Sequence, residues 1–193
     1  MSSLSSRIEL LENDLKADPP RVSVYNDLPF AILRYDPEDE WALRREARLL
    51  ATRLTEAGKK TSIVHMSDLL WKAIQDSEGI DAVVELEEGR GFLPAQEQVT
   101  TYLSDRDWRP LAGLLTERFQ SLDPSTKVVF LMRAAAMAPA IYHMSKLLDQ
   151  MQGKTSLTTV LFYPGSIEGT TGLRFMALKD RDALGNYRVK IYG

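Results

Sequence analysis

The chain has 193 residues, of which 44% are apolar and 26% charged, and a net charge of −3. That is enough chain to bury a sizeable core in one domain, and the acidic balance argues against a dedicated nucleic-acid binder. The absence of cysteine excludes disulfides and thiolate metal sites, and it allows the reducing cytoplasm, the compartment expected here.

Ser6 and Glu9 have the spacing of a capping box, and Leu4, Ile8, Leu11 and Leu15 share one helical face. A helix is therefore expected within residues 1–20, ended by Pro19 and Pro20. Residues 30–35, Phe-Ala-Ile-Leu-Arg-Tyr, read as a buried strand. Asp36 can cap the next helix, with Pro37 at its first position and Glu38, Asp39 and Glu40 where the helix dipole favours anions. Leu43, Ala47, Leu50 and Leu54 give that helix its apolar face, and Gly58 stops it. A second strand follows at 61–66, with Ser67 placed to cap a helix running to about Gln75.

Segment 76–124 interrupts this alternation. Residues 76–97 hold seven acids and one arginine, net −6, together with Gly79, Gly89, Gly91 and Pro94. Helical stretches are expected at 95–103 and 110–119. The alternation resumes with a strand at 127–132 and a helix at 139–151 that turns Ile141, Met144, Leu148 and Met151 inward. A strand at 157–162 is halted at a turn by Pro164 and Gly165, and a last strand occupies 187–192. The sum is a single α/β domain over 1–193. Its mainly parallel central sheet of about five strands is flanked by helices, and a helical, acidic insertion lies between strands two and three.

The chemistry-bearing motifs fail in context. Gly153-Lys154-Thr155 ends like a phosphate-binding loop, but Leu148 stands where the first glycine belongs, and a helix precedes where a strand should. Gly153 reads better as the left-handed residue closing that helix. Residues 89–94 fail the dinucleotide pattern because Pro94 replaces its last glycine. His65 and His143 are the only histidines and sit in no ligand-spaced motif, so no metal or other cofactor is expected. His65, within a strand, reads as a core histidine. The longest apolar run, 128–142, is broken by Arg133 and Pro139 and is too short to cross a bilayer, and no secretory leader is visible.

Ligands of an open α/β sheet gather beyond the carboxyl ends of its strands. Asp36, Asp68, Arg133 and Gly165 fall there, with Glu168 as a further candidate. Asp36 reads first as a cap and Asp68 as a first-turn acid. Arg133 ends a buried strand, so its charge needs an internal carboxylate or a bound anion. Tyr163-Pro164-Gly165 reads as a structural turn or, less simply, as a ligand-facing one. Arg174 and Arg188 with Asn186 could hold phosphate as a cluster, or pair with Asp180, Asp182 or the acidic segment. The apolar face of the first helix is expected to pack on the core. That leaves the acidic segment, with Glu85, Glu87 and Glu88, as the surface for a partner.

Three stretches near the C-terminus are specific: Leu-Thr-Thr-Val-Leu-Phe-Tyr-Pro-Gly at 157–165, Gly-Thr-Thr-Gly-Leu-Arg-Phe-Met at 169–176 and Asn-Tyr-Arg-Val-Lys-Ile-Tyr at 186–192. With the run at 127–139, they make the chain resemble the BrxB family, a small component of BREX bacteriophage-exclusion systems. The junction Tyr35-Asp36-Pro37 agrees more weakly. Relatives often carry a doubled aromatic before the arginine of the last motif, where only Tyr187 stands here. The resemblance implies a part in antiviral defence and supplies no catalytic residues. It implies a non-catalytic assembly or scaffold factor that binds another BREX protein. The phosphatase-like PglZ is the expected partner, and any association with DNA would be indirect. The alternative is a small enzyme or ligand sensor using the strand ends around Asp36, Asp68 and Arg133.

Overall fold

A computed structural model of the chain describes residues 3–24, 28–139, 141–169, 172–178 and 187–193. Helix α1 (Leu4–Lys16) is capped by Ser3, whose hydroxyl oxygen accepts the Ser6 N–H at 3.2 Å. The cap thus lies one turn before the expected Ser6, and the helix ends at Lys16, ahead of the two prolines. Ile8, Leu11 and Leu15 are buried, as their spacing requires, and so is Arg7.

Strand β1 (Phe30–Tyr35) is buried at every residue. A 3-10 turn at Pro37–Asp39 separates it from α2 (Glu40–Glu56), so Asp36 does not cap α2 with its side chain. Its carboxylate is held by Arg34 instead. Leu43, Ala47, Leu50 and Leu54 face the sheet as expected. Strand β2 (Lys60–His65) passes directly into α3 (Met66–Asp76), leaving His65 rather than Ser67 at the flanking position. The Ser67 hydroxyl donates to Asp68.

The insertion contains three helices, α4 (Gly79–Arg90), α5 (Phe92–Ser104) and α6 (Leu111–Phe119). Helix α4 is obscured in the sequence by its acids and by Gly79, Gly89 and Gly91, although Ile80, Val83 and Val84 share one helical face. Gly79 (φ +83°) and Gly91 (φ +88°) bound it in the left-handed region, where a side chain would strain the backbone. Strand β3 (Lys127–Met132) leads through a 3-10 turn at Ala134–Met137 to α7 (Met144–Met151). Helix α7 therefore starts later than the expected 139, and Ile141 precedes it half-buried. Gly153 closes it with φ +70°, as expected.

Strand β4 (Thr158–Glu168) runs straight through Pro164 and Gly165 instead of stopping there. Proline is tolerated because the parallel ladder to β1 ends at the pair Tyr35–Pro164, so no ladder bond is lost beyond it. The extension is paired antiparallel by a short strand, β5 (Gly172–Phe175), which the sequence reading did not contain. Strand β6 (Lys190–Tyr192) is half the expected length.

The sheet order is β2-β3-β4-β1-β6, all parallel, with β5 attached to β4. Ala31, Leu33 and Tyr35 point into a core shared with α1 and α2; Phe30 and Ile32 point into the other core, under α3, α5, α6 and α7. The step from β1 out to β2 crosses one face, and the return through β3 to β4 crosses the other. Crossovers of one hand in opposite directions must use opposite faces, so this arrangement obeys the right-handed rule.

Asp14 ties α1 to the end of the chain. It accepts from Lys190 Nζ at 2.5 Å and from the Tyr192 hydroxyl at 2.7 Å. Burial alone would raise its pKa, but the bonds from Lys190 and Tyr192 and the charges of Lys190 and Arg21 hold it below the usual aspartate value. A depressed folded pKa means the contribution is complete above the unfolded value near about 4 and is lost as pH falls through the folded one. Asp14→Asn should therefore lower the unfolding free energy by about 1–3 kcal/mol at neutral pH. The difference from the wild type should shrink in urea titrations carried out at progressively lower pH below that value.

Candidate functional site

The strand order disperses the expected carboxyl-end cluster. Asp68 follows β2 at the sheet edge, Arg133 follows β3, and Asp36 follows β1 on the far side of β4. At about 4.8 Å per strand, Asp36 and Asp68 stand at positions roughly 14 Å apart and do not share a site. Between them β4 continues past its neighbours and carries β5. Tyr163 is buried here, its ring 5.5 Å from Phe175 and 6.0 Å from Tyr187. Burial, reinforced by the Tyr187 phenol, pushes the Tyr163 pKa up. Tyr163 is thus core, neither a turn nor a ligand-facing residue.

Gly165 has a steric reason to be glycine. A Cβ there would lie 2.1 Å from the Arg174 carbonyl oxygen and 3.0 Å from the Tyr163 ring, because β5 crosses β4 too closely for any side chain. Arg174 pairs with Glu168 along this hairpin, not with the acidic segment. Arg188 is exposed. Asn186, with Asp180 and Asp182, lies outside the described residues, so the expected phosphate cluster is not assembled by the described ones.

Arg133 is half-buried and left-handed, with φ +60°. Among the described residues its side chain has no hydrogen bond or ion pair, so the internal pair expected for it is not formed. Asp68 is 69% exposed, with one oxygen 3.5 Å from His65 Nδ1. Both line a cleft of about 400 Å³ between α3 and α6, with Lys72, Glu117 and Arg118. His65 is accordingly a rim residue of an edge strand and not a core histidine.

Asp36 receives a two-pronged bond from Arg34, at 2.6 and 3.1 Å. Arg34 is only 6% exposed and Arg7 only 3%. Neither was singled out from the sequence. The available signals were a cation inside the apolar run 30–35, and Arg7 falling three residues after Leu4 and four before Leu11, on the apolar face.

The acidic segment has a definite shape. Helix α4 packs chiefly on α5, with Gly91 as the joint. At one end Glu78 accepts from the Tyr102 hydroxyl at 2.5 Å and from Gln98 at 3.4 Å. Burial and the Glu78 carboxylate push the Tyr102 phenol up to about 12. The rest of the hairpin is turned outward. Only Val83 of α4 is buried, while Ile80, Val84, Phe92 and Leu93 are exposed, the last by 65%. Asp81, Glu85, Glu87 and Glu88 are exposed around them and make no ion pair among the described residues. Trp71 is exposed on α3, against which α4 and α5 both pack.

No helix among the described residues is long and apolar enough to cross a membrane. The family model for the BREX protein BrxB matches residues 62–191. The chain belongs to the BrxB family and is a component of a BREX phage-exclusion system. The match spans β2 to β6 with the whole insertion; the junction Tyr35-Asp36-Pro37 lies outside it. No curated protein and no solved structure matches the chain.

Gly165→Ala should destabilise the protein by about 2 kcal/mol or more, since the obstacle is backbone that cannot turn aside. For a chain of this size that corresponds to a fall in Tm of about 4–8 °C, readable by thermal unfolding.

Proposed function

We propose that this BREX component is a non-catalytic assembly factor that docks another BREX protein, PglZ first, on the outer face of the α4–α5 hairpin. The observation that carries the reading is α4 itself. It places Ile80 and Val84 in solvent and leads to an exposed Phe92-Leu93 tip, all within a rim of Asp81, Glu85, Glu87 and Glu88. An apolar centre with a charged rim is the anatomy of a protein interface, and the acids select a basic rim on the partner. The choice of PglZ rests on what the family resemblance implies. On this reading any contact with DNA passes through the complex, and the scattered strand ends of Asp36, Asp68 and Arg133 perform no chemistry.

The test is a binding titration of the purified protein with PglZ and the other BREX proteins, by calorimetry and size exclusion. Reversal of Glu85, Glu87 and Glu88 to Lys should slow association by about tenfold or more at low salt, and the deficit should narrow as salt rises. Phe92→Ser with Leu93→Ser should speed dissociation while leaving the Tm nearly unchanged, since both side chains are exposed. The absence of any complex at micromolar concentrations would remove the reading. A complex indifferent to both sets of changes would move the interface elsewhere.

A further inference from the structure

The free edge of the sheet carries an inference that does not depend on the docking reading. The parallel ladder has two outer strands, β6 on one side and β2 on the other. Strand β6 is three residues long, too short to offer much to another chain. Strand β2 runs six residues, and only Val64 of it is buried. Its pairing with β3 is regular from Lys60 to His65, with no bulge and no proline to blunt the outer side. Among the described residues no strand pairs with that side. Next to Ile63, Val64 and His65 the surface opens into the cleft between α3 and α6.

The outward backbone groups belong to Thr61, Ile63 and His65. The Lys60 N–H donates to the Thr126 carbonyl at 2.9 Å, so Lys60 turns its backbone toward β3. That direction alternates along a strand, and Ser62 and Val64 follow Lys60. Thr61 and Ile63 therefore present N–H and C=O to the outside, and His65 presents its N–H. Side chains alternate between faces as well. Val64 belongs to the core under α3, while Ile63 packs against the α1–α2 core, so Lys60 and Ser62 lie on the α3 face. Lys60 is exposed at the amino end of β2, and its side chain has no hydrogen bond or ion pair among the described residues. Asp68 is exposed in the first turn of α3, just beyond the carboxyl end of β2. The edge thus has a free ammonium at one end and an exposed carboxylate at the other.

We propose that this edge joins a second copy of the chain, β2 against β2 in antiparallel register, across a two-fold axis at Ile63. An edge with opposite charges at its two ends is complementary to itself when turned through a half rotation. The register that uses all three outward residues sets Ile63 opposite Ile63, and Thr61 opposite His65 of the second copy. Ile63 against Ile63 is a β-branched cross-strand pair, which favours the join. The axis is normal to the sheet, so the α3 layers of both copies lie on one face. Lys60 then meets the first turn of the second copy's α3, where Asp68 stands, and the symmetry repeats this contact at the other end.

The experiment is sedimentation velocity of the full chain over a range of concentrations, where a reversible dimer is expected. Lys60→Glu and Asp68→Lys, both at exposed positions, should each weaken it by about tenfold, because each sets like charges together twice per dimer. An equimolar mixture of the two variants should dimerise like the wild type, since the mixed dimer restores both opposite-charge pairs. Amide exchange read by NMR should show the Thr61 and Ile63 N–H groups fast in the monomer and protected in the dimer, with Ser62 and Val64 protected in both. A wild type that stays monomeric at its highest soluble concentration would overturn the proposal. So would protection of Thr61 and Ile63 only when another BREX protein is added, which would give the edge to a foreign strand. A dimer that neither variant weakens, or that mixing does not restore, would place the self-contact elsewhere and overturn it as well.

Discussion

The structure depends on burying β1 on both faces. Phe30–Tyr35 has parallel neighbours on each side and no residue that reaches solvent, so each face of the sheet needs its own helical cover. Helices α1 and α2 supply one layer; α3, α5, α6 and α7 supply the other. Phe130 and Phe162 meet edge to face, 5.1 Å apart, beneath the first layer. Helix α4 is surplus to this requirement. It adds Val83 to the buried core and packs Leu86 against it, while Ile80 and Val84 stay in solvent.

Strand order also explains why the family match is not a separable unit. Residues 62–191 include β3, β4 and β6, but β1 lies between β4 and β6 and comes from outside the match. Without residues 30–35, β6 would have nothing to pair with among the described strands. The amino-terminal part is therefore integral to the sheet. It also supplies Asp14, which ties α1 to Lys190 and Tyr192 of β6.

Much of this was legible in the sequence wherever one periodicity governed a segment. The apolar runs at 30–35 and 127–132 and the 43-47-50-54 face had no competing reading. The sequence misled where tertiary geometry overrides local chemistry. Pro164 and Gly165 carry turn signals, yet β4 outlasts its neighbours and β5 crosses it so closely that glycine is required. Ser6 and Asp36 have capping chemistry, but Ser3 reaches the orphan N–H first, and Arg34 claims the carboxylate. Helix α4 was hidden by its acids and by Gly79, Gly89 and Gly91, which are poor helix signals even though Ile80, Val83 and Val84 share one face. The acidic character of 76–97 was visible as composition. Its shape as a hairpin with an exposed apolar tip depends on Gly79 and Gly91 bounding α4 so that it packs on α5, which composition does not convey.

The account stands or falls on where a BREX partner touches this chain. Hydrogen–deuterium exchange of the full-length protein, alone and saturated with PglZ, reads that contact without any substitution. The account predicts slowed exchange in residues 79–104, with α1, α2 and the β4–β5 hairpin unchanged. Protection confined to α1 and α2, with residues 79–104 exchanging as in the free protein, would contradict it.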